Sequence, residues 1–390
     1  MAGNVRLKPG DHRVLTGTPW VFRGEIAGAE DAAPGGVVTV LDHRGRFVGR
    51  GFYNPESVIA VRIVSWRSAE DVTGRLLAER LEQALRWRRR VVGEREAYRV
   101  VHSEADGIPG LIVDKYAGML VVEVLSRGLV RFVPELVSAL VDLLNPRGIF
   151  ERGDTSARAR EGLPRENRVL YGDMGSPVVI REHGVKMAIH LDTGQKTGHF
   201  LDQYVNRGRV GQLAAGLKVF DAFCHTGGFA LVAAINGATD VVGIDIDREA
   251  VDQAEANARR NALSERVRFV AENAFDWLRR ESDNGAQYDL GILDPPAFTR
   301  SKDALAGAIR GYKEINLRGI KLMRPGGLLM TSSCSYHLSE PQFLQVIQTA
   351  AHDARRHVRI VEIRGQGPDH PVLPALPESR YLKCLLLSVD

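Results

Sequence analysis

Residues 219–230 read VFDAFCHTGGFA. An apolar strand runs into a glycine pair, and Phe229-Ala230 then opens a helix. Glycine in such a turn lets a ligand approach the backbone at a helix N-terminus, where unpaired N–H groups gather. The spacing is not G-x-G-x-x-G, which disfavours a dinucleotide. Taken alone, Gly227-Gly228 reads equally as a plain loop.

The next strand changes that balance. Val241-Val242-Gly243-Ile244-Asp245 ends in a carboxylate, a position suited to accepting both hydroxyls of a ribose. Asp221 and Asp245 then fall at adjacent strand ends. Together they read as a site for a nucleoside-containing cofactor, most simply S-adenosylmethionine. The alternation continues with strands at 218–223, 240–245, 267–270, 288–293, 327–332, 358–363 and 381–388, and helices lie between most of them. Regular alternation implies a doubly wound parallel sheet. Only a Pro-rich loop separates the last two strands, which predicts an antiparallel pair.

Three further motifs fall after strands of this series. Asn273, in Glu272-Asn273-Ala274, suits either an adenine contact or a helix N-cap. Asp294 opens Asp294-Pro295-Pro296-Ala297-Phe298, where two prolines fix the backbone and remove two donors. Ligands bind beyond the carboxyl ends of such strands, which puts Asp294 at the site. Cys334 lies in TSSCSYH, residues 331–337, and lands on the same rim. Cytosine C5 is a poor nucleophile. A thiolate adding at C6 makes C5 enamine-like, able to attack a methyl sulfonium. That chemistry needs an activated cysteine. The competing reading is a packing residue.

Upstream, residues 1–72 hold short apolar runs at 37–41, 47–53 and 59–64, with another strand and turn over 19–26. This is the pattern of a small β-barrel. Residues 73–185 start with a helical period (Leu76, Leu77, Leu81, Leu85). A hairpin at 111–116 and 120–124 follows, then a helix over 133–144 stopped by Asn145-Pro146. This reads as an α+β module.

The 390 residues are too many for one ordinary core. Hydrophobic content is 44% and charged content 26%, as in globular proteins, and no apolar run nears the roughly 18–20 residues a membrane helix needs. The N-terminus lacks a secretory h-region, so a cytoplasmic protein is expected. The three cysteines form no C-x-x-C pair, and no metal site is expected. Net charge is only +4, yet arginines cluster at Arg86, Arg88, Arg89 and Arg90 around Trp87. Such a cluster can grip phosphates and stack a base. The same residues also fit a solvated helix face paired with Glu79, Glu82, Glu94 and Glu96.

The series Asp221–Phe229, Asp245, Asp294–Phe298 and Ser333-Cys334-Ser335 resembles the class I S-adenosylmethionine-dependent RNA methyltransferases. Within them it looks most like the large-subunit ribosomal RNA cytosine-C5 methyltransferases. Residues 191–203, LDTGQKTGHFLDQ, look like that group's K-T-G-(aromatic)-(aromatic)-L-D-Q segment. Residues 103–114, SEADGIPGLIVD, look like the signature of its central domain. Its N-terminal domain is a PUA barrel, an RNA-binding module that fits residues 1–72. The resemblance implies an α/β fold: a PUA-like β-barrel (1–72), a central α+β domain (73–185) and a Rossmann-like methyltransferase domain (186–390). It implies cofactor contacts from Gln195, Lys196, Thr197, Phe200, Asp202, Asp221, Phe223, Gly227, Asp245, Ile246, Asn273 and Asp294. It also implies Asp294 near the target base and Cys334 as nucleophile. RNA would be the partner, as 23S-type ribosomal RNA or an assembling large subunit; the sequence leaves the oligomeric state open, a homodimer included. Two other readings stay open. The DPPAF stretch resembles the D/N-P-P-Y/F motif of base N-methyltransferases, and the chain also fits a non-catalytic RNA-binding assembly factor.

Overall fold

The computed structural model describes residues 3–194, 196–299, 301 and 303–390. They divide into two compact units. One comprises Met1–Ile180, Ile189–Leu201 and Pro368–Ser379, and the other Arg181–Ala188, Asp202–Gly367 and Arg380–Asp390.

The first unit holds two sheets. Strands β1 (Gly3–Leu7), β2 (Trp20–Phe22), β3 (Ile26–Glu30), β4 (Val37–Leu41), β5 (Phe47–Tyr53) and β6 (Ile59–Ser65) pair in the order β2-β6-β5-β4-β1-β3. Helix α1 (Gly74–Val91) follows, its N-terminus capped by the Thr73 hydroxyl, which accepts from the Leu76 N–H at 3.2 Å. Strands β7 (Ala97–His102), β8 (Leu111–Tyr116) and β9 (Met119–Val124) come next. Helix α2 (Val133–Leu144), β10 (Gly148–Glu151), α3 (Ser156–Arg160) and β11 (Arg168–Gly172) complete the second sheet, ordered β11-β10-β9-β8-β7. The hairpin expected from 111–124 is present, with Tyr116 opposite Met119. Leu77, Leu81 and Leu85 of α1 and Leu136 and Leu140 of α2 bury in one core with this sheet. Strands β12 (Val178–Glu182) and β13 (Val185–Ile189) form a two-stranded ribbon.

The period of α1 corrects one expectation. Arg88 falls on the same face as Leu81, Ala84 and Leu85 and is 0% exposed. Its guanidinium donates to both Asp106 carboxylate oxygens and to the carbonyls of Arg99 and Asp369. It is a structural ion pair and offers nothing to RNA. Arg86, Trp87, Arg89 and Arg90 are exposed, and Arg86 pairs with Glu82 at 2.7 Å.

The second unit is one doubly wound sheet. Its elements are α4 (Tyr204–Leu213), β14 (Lys218–Ala222), α5 (Gly228–Ile235), β15 (Asp240–Asp245), α6 (Arg248–Arg260), β16 (Val267–Ala271), α7 (Ala274–Asp283), β17 (Tyr288–Leu293), α8 (Leu305–Leu322), β18 (Met323–Ser333), α9 (Glu340–Ala354), β19 (Val358–Arg364) and β20 (Lys383–Val389). The strand order is β16-β15-β14-β17-β18-β20-β19. Strands β14 to β18 run parallel to one another, and β20 is antiparallel to both β18 and β19, as the loop length predicts. Phe220, Trp277, Tyr288, Tyr312 and Phe343 build one face of the core. The chain leaves β14 for β15 on one side and reaches β17 on the other, so a crevice opens beyond the carboxyl end of β14.

Replacing Arg88 by Ala strands the buried Asp106 carboxylate and should cost about 3–5 kcal/mol. Replacing Arg86, an exposed i,i+4 partner, should cost no more than about 0.5 kcal/mol. Urea unfolding followed by circular dichroism separates the two; equal small losses would contradict the assignment of Arg88.

Candidate active site

Each strand end around the crevice presents a polar group. Asp221, the fourth residue of β14, is 0% exposed. Its Oδ2 accepts from the Ala230 N–H at 3.0 Å, which ties the strand to the first turn of α5. Its Oδ1 is buried and takes no hydrogen bond among the described residues. Burial pushes the Asp221 carboxyl well above the usual carboxylate range, and the charges of Asp294 and Asp245 push the same way. The strand ends one residue earlier than the sequence predicts, because Phe223 adopts φ 67°. His225 (φ 49°) and Gly227 (φ 85°) are left-handed as well. Two non-glycine residues held there mark a strained turn of the kind found at ligand sites. A side chain at Gly227 would also strike the Phe269 ring, at 2.8 Å.

Asp245 is pinned by this same turn. Its Oδ2 accepts from the His225 N–H (2.8 Å) and its Oδ1 from the Asp247 N–H (3.0 Å). Asp247 in turn caps α6. Ile246 beside it is 71% exposed, an uncovered apolar surface next to a fixed carboxylate. Asn273 is exposed and caps α7, its Oδ1 accepting from the Phe275 N–H at 2.9 Å. The N-cap reading is therefore the one its geometry expresses. Phe223, Phe275 and Phe298 pack edge-on or tilted with centroids 5.5–6.3 Å apart. They form an aromatic wall along the rim.

Asp294 follows β17 and is half-buried. A chain of amides holds it. Gln203 Nε2 donates to Asp294 Oδ1 at 2.8 Å, Asn206 Nδ2 to Gln203 Oε1 at 2.6 Å, and Arg364 Nε to Asn206 Oδ1 at 2.8 Å. Gln203 and Asn206 are buried, so the chain is shielded from water. Sequence reasoning did not single out Gln203 or Asn206. The only signal was that Gln203 ends the L-D-Q segment.

Cys334 follows β18 directly, and its Sγ lies 3.9 Å from the Pro295 carbonyl oxygen. The thiol is thereby set against the Asp294-Pro295 turn. The polar neighbours have structural work: Ser335 Oγ bonds the Tyr312 hydroxyl at 2.9 Å, and the Ser335 N–H donates to Ser333 Oγ at 3.3 Å. The other two cysteines are core residues. Burial pushes the Cys224 thiol well up and the Cys384 thiol to about 12. Cys334 alone of the three is partly exposed.

Of the remaining residues, Asp202 is buried and accepts the Tyr381 hydroxyl at 2.7 Å. Lys196, Thr197 and Phe200 belong to the other compact unit. There the Lys196 ammonium sits 4.5 Å from the Phe200 ring centroid. The Thr197 hydroxyl is 1% exposed and bonds both Asp114 (2.6 Å) and Tyr116 (2.8 Å), which leaves its backbone for any ligand contact. Gln195 lies outside the described residues. Among the described residues no cluster of His, Cys, Asp or Glu side chains could hold a metal ion.

The donor set suits an adenosyl cofactor with a cationic tail. A buried carboxylate oxygen unpaired among the described residues, a fixed carboxylate at the next strand end and an uncovered Ile246 can take an ammonium, a ribose and the face of a base respectively.

Comparison with known proteins agrees. Residues 5–66 match a PUA-like domain, and residues 167–387 match the S-adenosylmethionine-dependent methyltransferase family. The ribosomal RNA large subunit methyltransferase I of Shewanella denitrificans is 38% identical over 396 residues, covering all of both chains. That of Erwinia tasmaniensis is 36% identical over 384 residues, covering 97% of each. Among solved structures, one described as an S-adenosylmethionine-dependent methyltransferase from Streptococcus mutans superposes with a TM-score of 0.83, at 20% identity and full coverage of both chains. Another, complexed with S-adenosylhomocysteine, gives 0.84 at 19% identity and 99% coverage of each, a likeness of fold. The chain is a member of the S-adenosylmethionine-dependent methyltransferases, in the family of the ribosomal RNA large subunit methyltransferase I proteins, with a PUA-like domain at its N-terminus.

Proposed function

We propose that this protein transfers a methyl group to C5 of a cytosine in large-subunit ribosomal RNA through a covalent adduct on Cys334. The observation that carries the reading is the one partly exposed cysteine, set against the Asp294-Pro295 turn at the carboxyl ends of the methyltransferase sheet. The names of the relatives support the substrate class.

S-adenosylmethionine supplies a methyl group on a sulfonium. Asp221, Phe223, Gly227, Asp245 and Ile246 would hold it, with Asn273 beside the adenine while still capping α7. In this reading Asp202 contributes from the segment ahead of α4. The Cys334 thiolate adds to cytosine C6, forming an S–C bond and passing the C5=C6 electrons to C5. C5 would then take the methyl group, the S–CH3 bond breaking with its electron pair left on the departing sulfur as a neutral thioether. Removal of the C5 proton returns the electrons to the ring and breaks the S–C6 bond, freeing the thiolate. Asp294, aimed by Gln203, accepts from the exocyclic amine and holds the base over the thiol. The target base must be unpaired or flipped to reach this crevice.

The three-part division at 72 and 185 gives the RNA two further surfaces, with Arg86, Arg89 and Arg90 meeting phosphates. A ribosomal RNA substrate puts the enzyme in the cytoplasm. The comparisons lend no support to a homodimer. Among the described residues no helix is long and apolar enough to cross a membrane.

Cys334→Ser should lower methyl transfer to ribosomal RNA by roughly 10³-fold or more while cofactor still binds. Nucleoside mass spectrometry should find 5-methylcytidine as the product. An N-methylated purine would point to the base N-methyltransferase reading instead, and undiminished turnover by Cys334→Ser would remove the covalent mechanism. Asp245→Ala should weaken S-adenosylmethionine binding by calorimetry by about 10–100-fold, the loss of charge-assisted hydrogen bonds. Gln203→Leu should lower turnover about tenfold, because it removes the donor that aims Asp294 Oδ1 and one of the two acceptors of the Asn206 amide, which keeps the Gly365 carbonyl. Cofactor affinity unchanged by Asp245→Ala, or turnover unchanged by Gln203→Leu, would contradict these roles.

A further inference from the structure

The covalent reading needs something to hold Cys334 as a thiolate, and a lysine lies beside it. Lys383 is the first residue of β20 and pairs across the sheet with Ser333, the residue before Cys334. Its ammonium donates to the carbonyl of Ser335, the residue after Cys334, at 2.7 Å, and to the Tyr381 carbonyl at 2.9 Å. The lysine thus grips the chain on both sides of the thiol.

Lys383 is 5% exposed, and among the described residues no carboxylate lies within ion-pair distance of its nitrogen. Glu340, the acidic residue that faces it, is held by Arg380 at 2.6 Å. Asp294 is engaged by Gln203, and Tyr312, which also faces Cys334, is kept protonated by burial. Arg364, across the sheet from Cys384, is committed to Asn206 and Glu362. A buried cation without a counter-ion is costly, and an ammonium has three N–H groups, of which the two carbonyls use two.

We propose that Lys383 is the positioning residue that activates Cys334, its third N–H serving the sulfur as counter-ion. This rests on Cys334 being the nucleophile. Burial lowers the Lys383 ammonium to about 8, with Cys334 and Glu340 opposing, so the side chain can hold or release a proton there. The proton leaves Sγ for Nζ, and thiol plus amine becomes thiolate plus ammonium. The net charge of the pair does not change, so no isolated charge is created in the low-dielectric pocket. When the S–C6 bond breaks, the thiolate returns to the same partner.

The test reads the thiol directly, with no RNA or cofactor present. Iodoacetamide labelling of Cys334 is followed by peptide mass spectrometry from pH 6 to 10 on the full chain. Lys383→Met should slow labelling at pH 7.5 by about tenfold and shift the profile to higher pH, the size expected for losing one nearby charge. Lys383→Arg should restore the wild-type profile. Labelling of Cys384, buried in the native protein, reports loss of the fold; if Lys383→Met shows it, Lys383→Gln, which can still donate to the carbonyls, is read in its place with the same expectation. A neutral variant whose profile superposes on the wild type overturns the pairing. If that variant also still makes 5-methylcytidine through Cys334, only the pairing fails. If Cys334→Ser remains active, the nucleophile reading fails whatever the labelling shows.

Discussion

The parallel pairing of β14 with β15 on one side and β17 on the other governs the rest of the second unit. It aligns Asp221 with Gly243 and Ile292, so the chain leaves all three strands at one level. The turns that follow must then share a small volume. Gly243 is glycine because any side chain there would strike Phe269 and the Cys224 sulfur. Phe269 in turn supports Gly227, and the left-handed turn at 223–227 delivers the His225 N–H to Asp245. The polar groups are held by backbone geometry that the sheet imposes.

Convergence has an electrostatic consequence. Burial raises the Asp221 carboxyl, and the charges of Asp294 and Asp245 push the same way. A crevice with an unpaired carboxylate oxygen favours a cationic ligand. On the far side of Asp294 the balance reverses. Lys383 is buried beside Cys334, and among the described residues its hydrogen-bond partners are carbonyls. One cleft rim therefore carries an acidic end suited to a sulfonium and a cationic end suited to a thiolate, with the Asp294-Pro295 turn between them.

Much of this could be read from the chain. The strand-helix alternation, the antiparallel final pair and the strand-end positions of Asp221, Asp245, Asp294 and Cys334 all follow from local pattern and turn chemistry. Long-range pairing was harder to see. Strands β1 and β3 are short, and β10 and β11 are flanked by arginine-rich loops, so their period was too brief to recognise. Arg88 looked like its exposed neighbours because charge dominates that stretch. Only the burial of the α1 face, with Asp369 arriving from 281 residues away, shows its role. Gln203, Asn206 and Lys383 escaped notice for the same reason. Each acts on a residue distant in sequence, and a neutral amide or a lone lysine carries no motif.

The most direct test of the account is covalent trapping. Ribosomal RNA containing 5-fluorocytidine should add the Cys334 thiolate at C6 and accept the methyl group, but fluorine at C5 leaves no proton to remove, so the S–C6 bond cannot break. With S-adenosylmethionine present, the account predicts a denaturation-stable protein–RNA complex whose cross-linked peptide contains Cys334. Absence of such a complex with an actively methylating enzyme, or a cross-link at another residue, would contradict it.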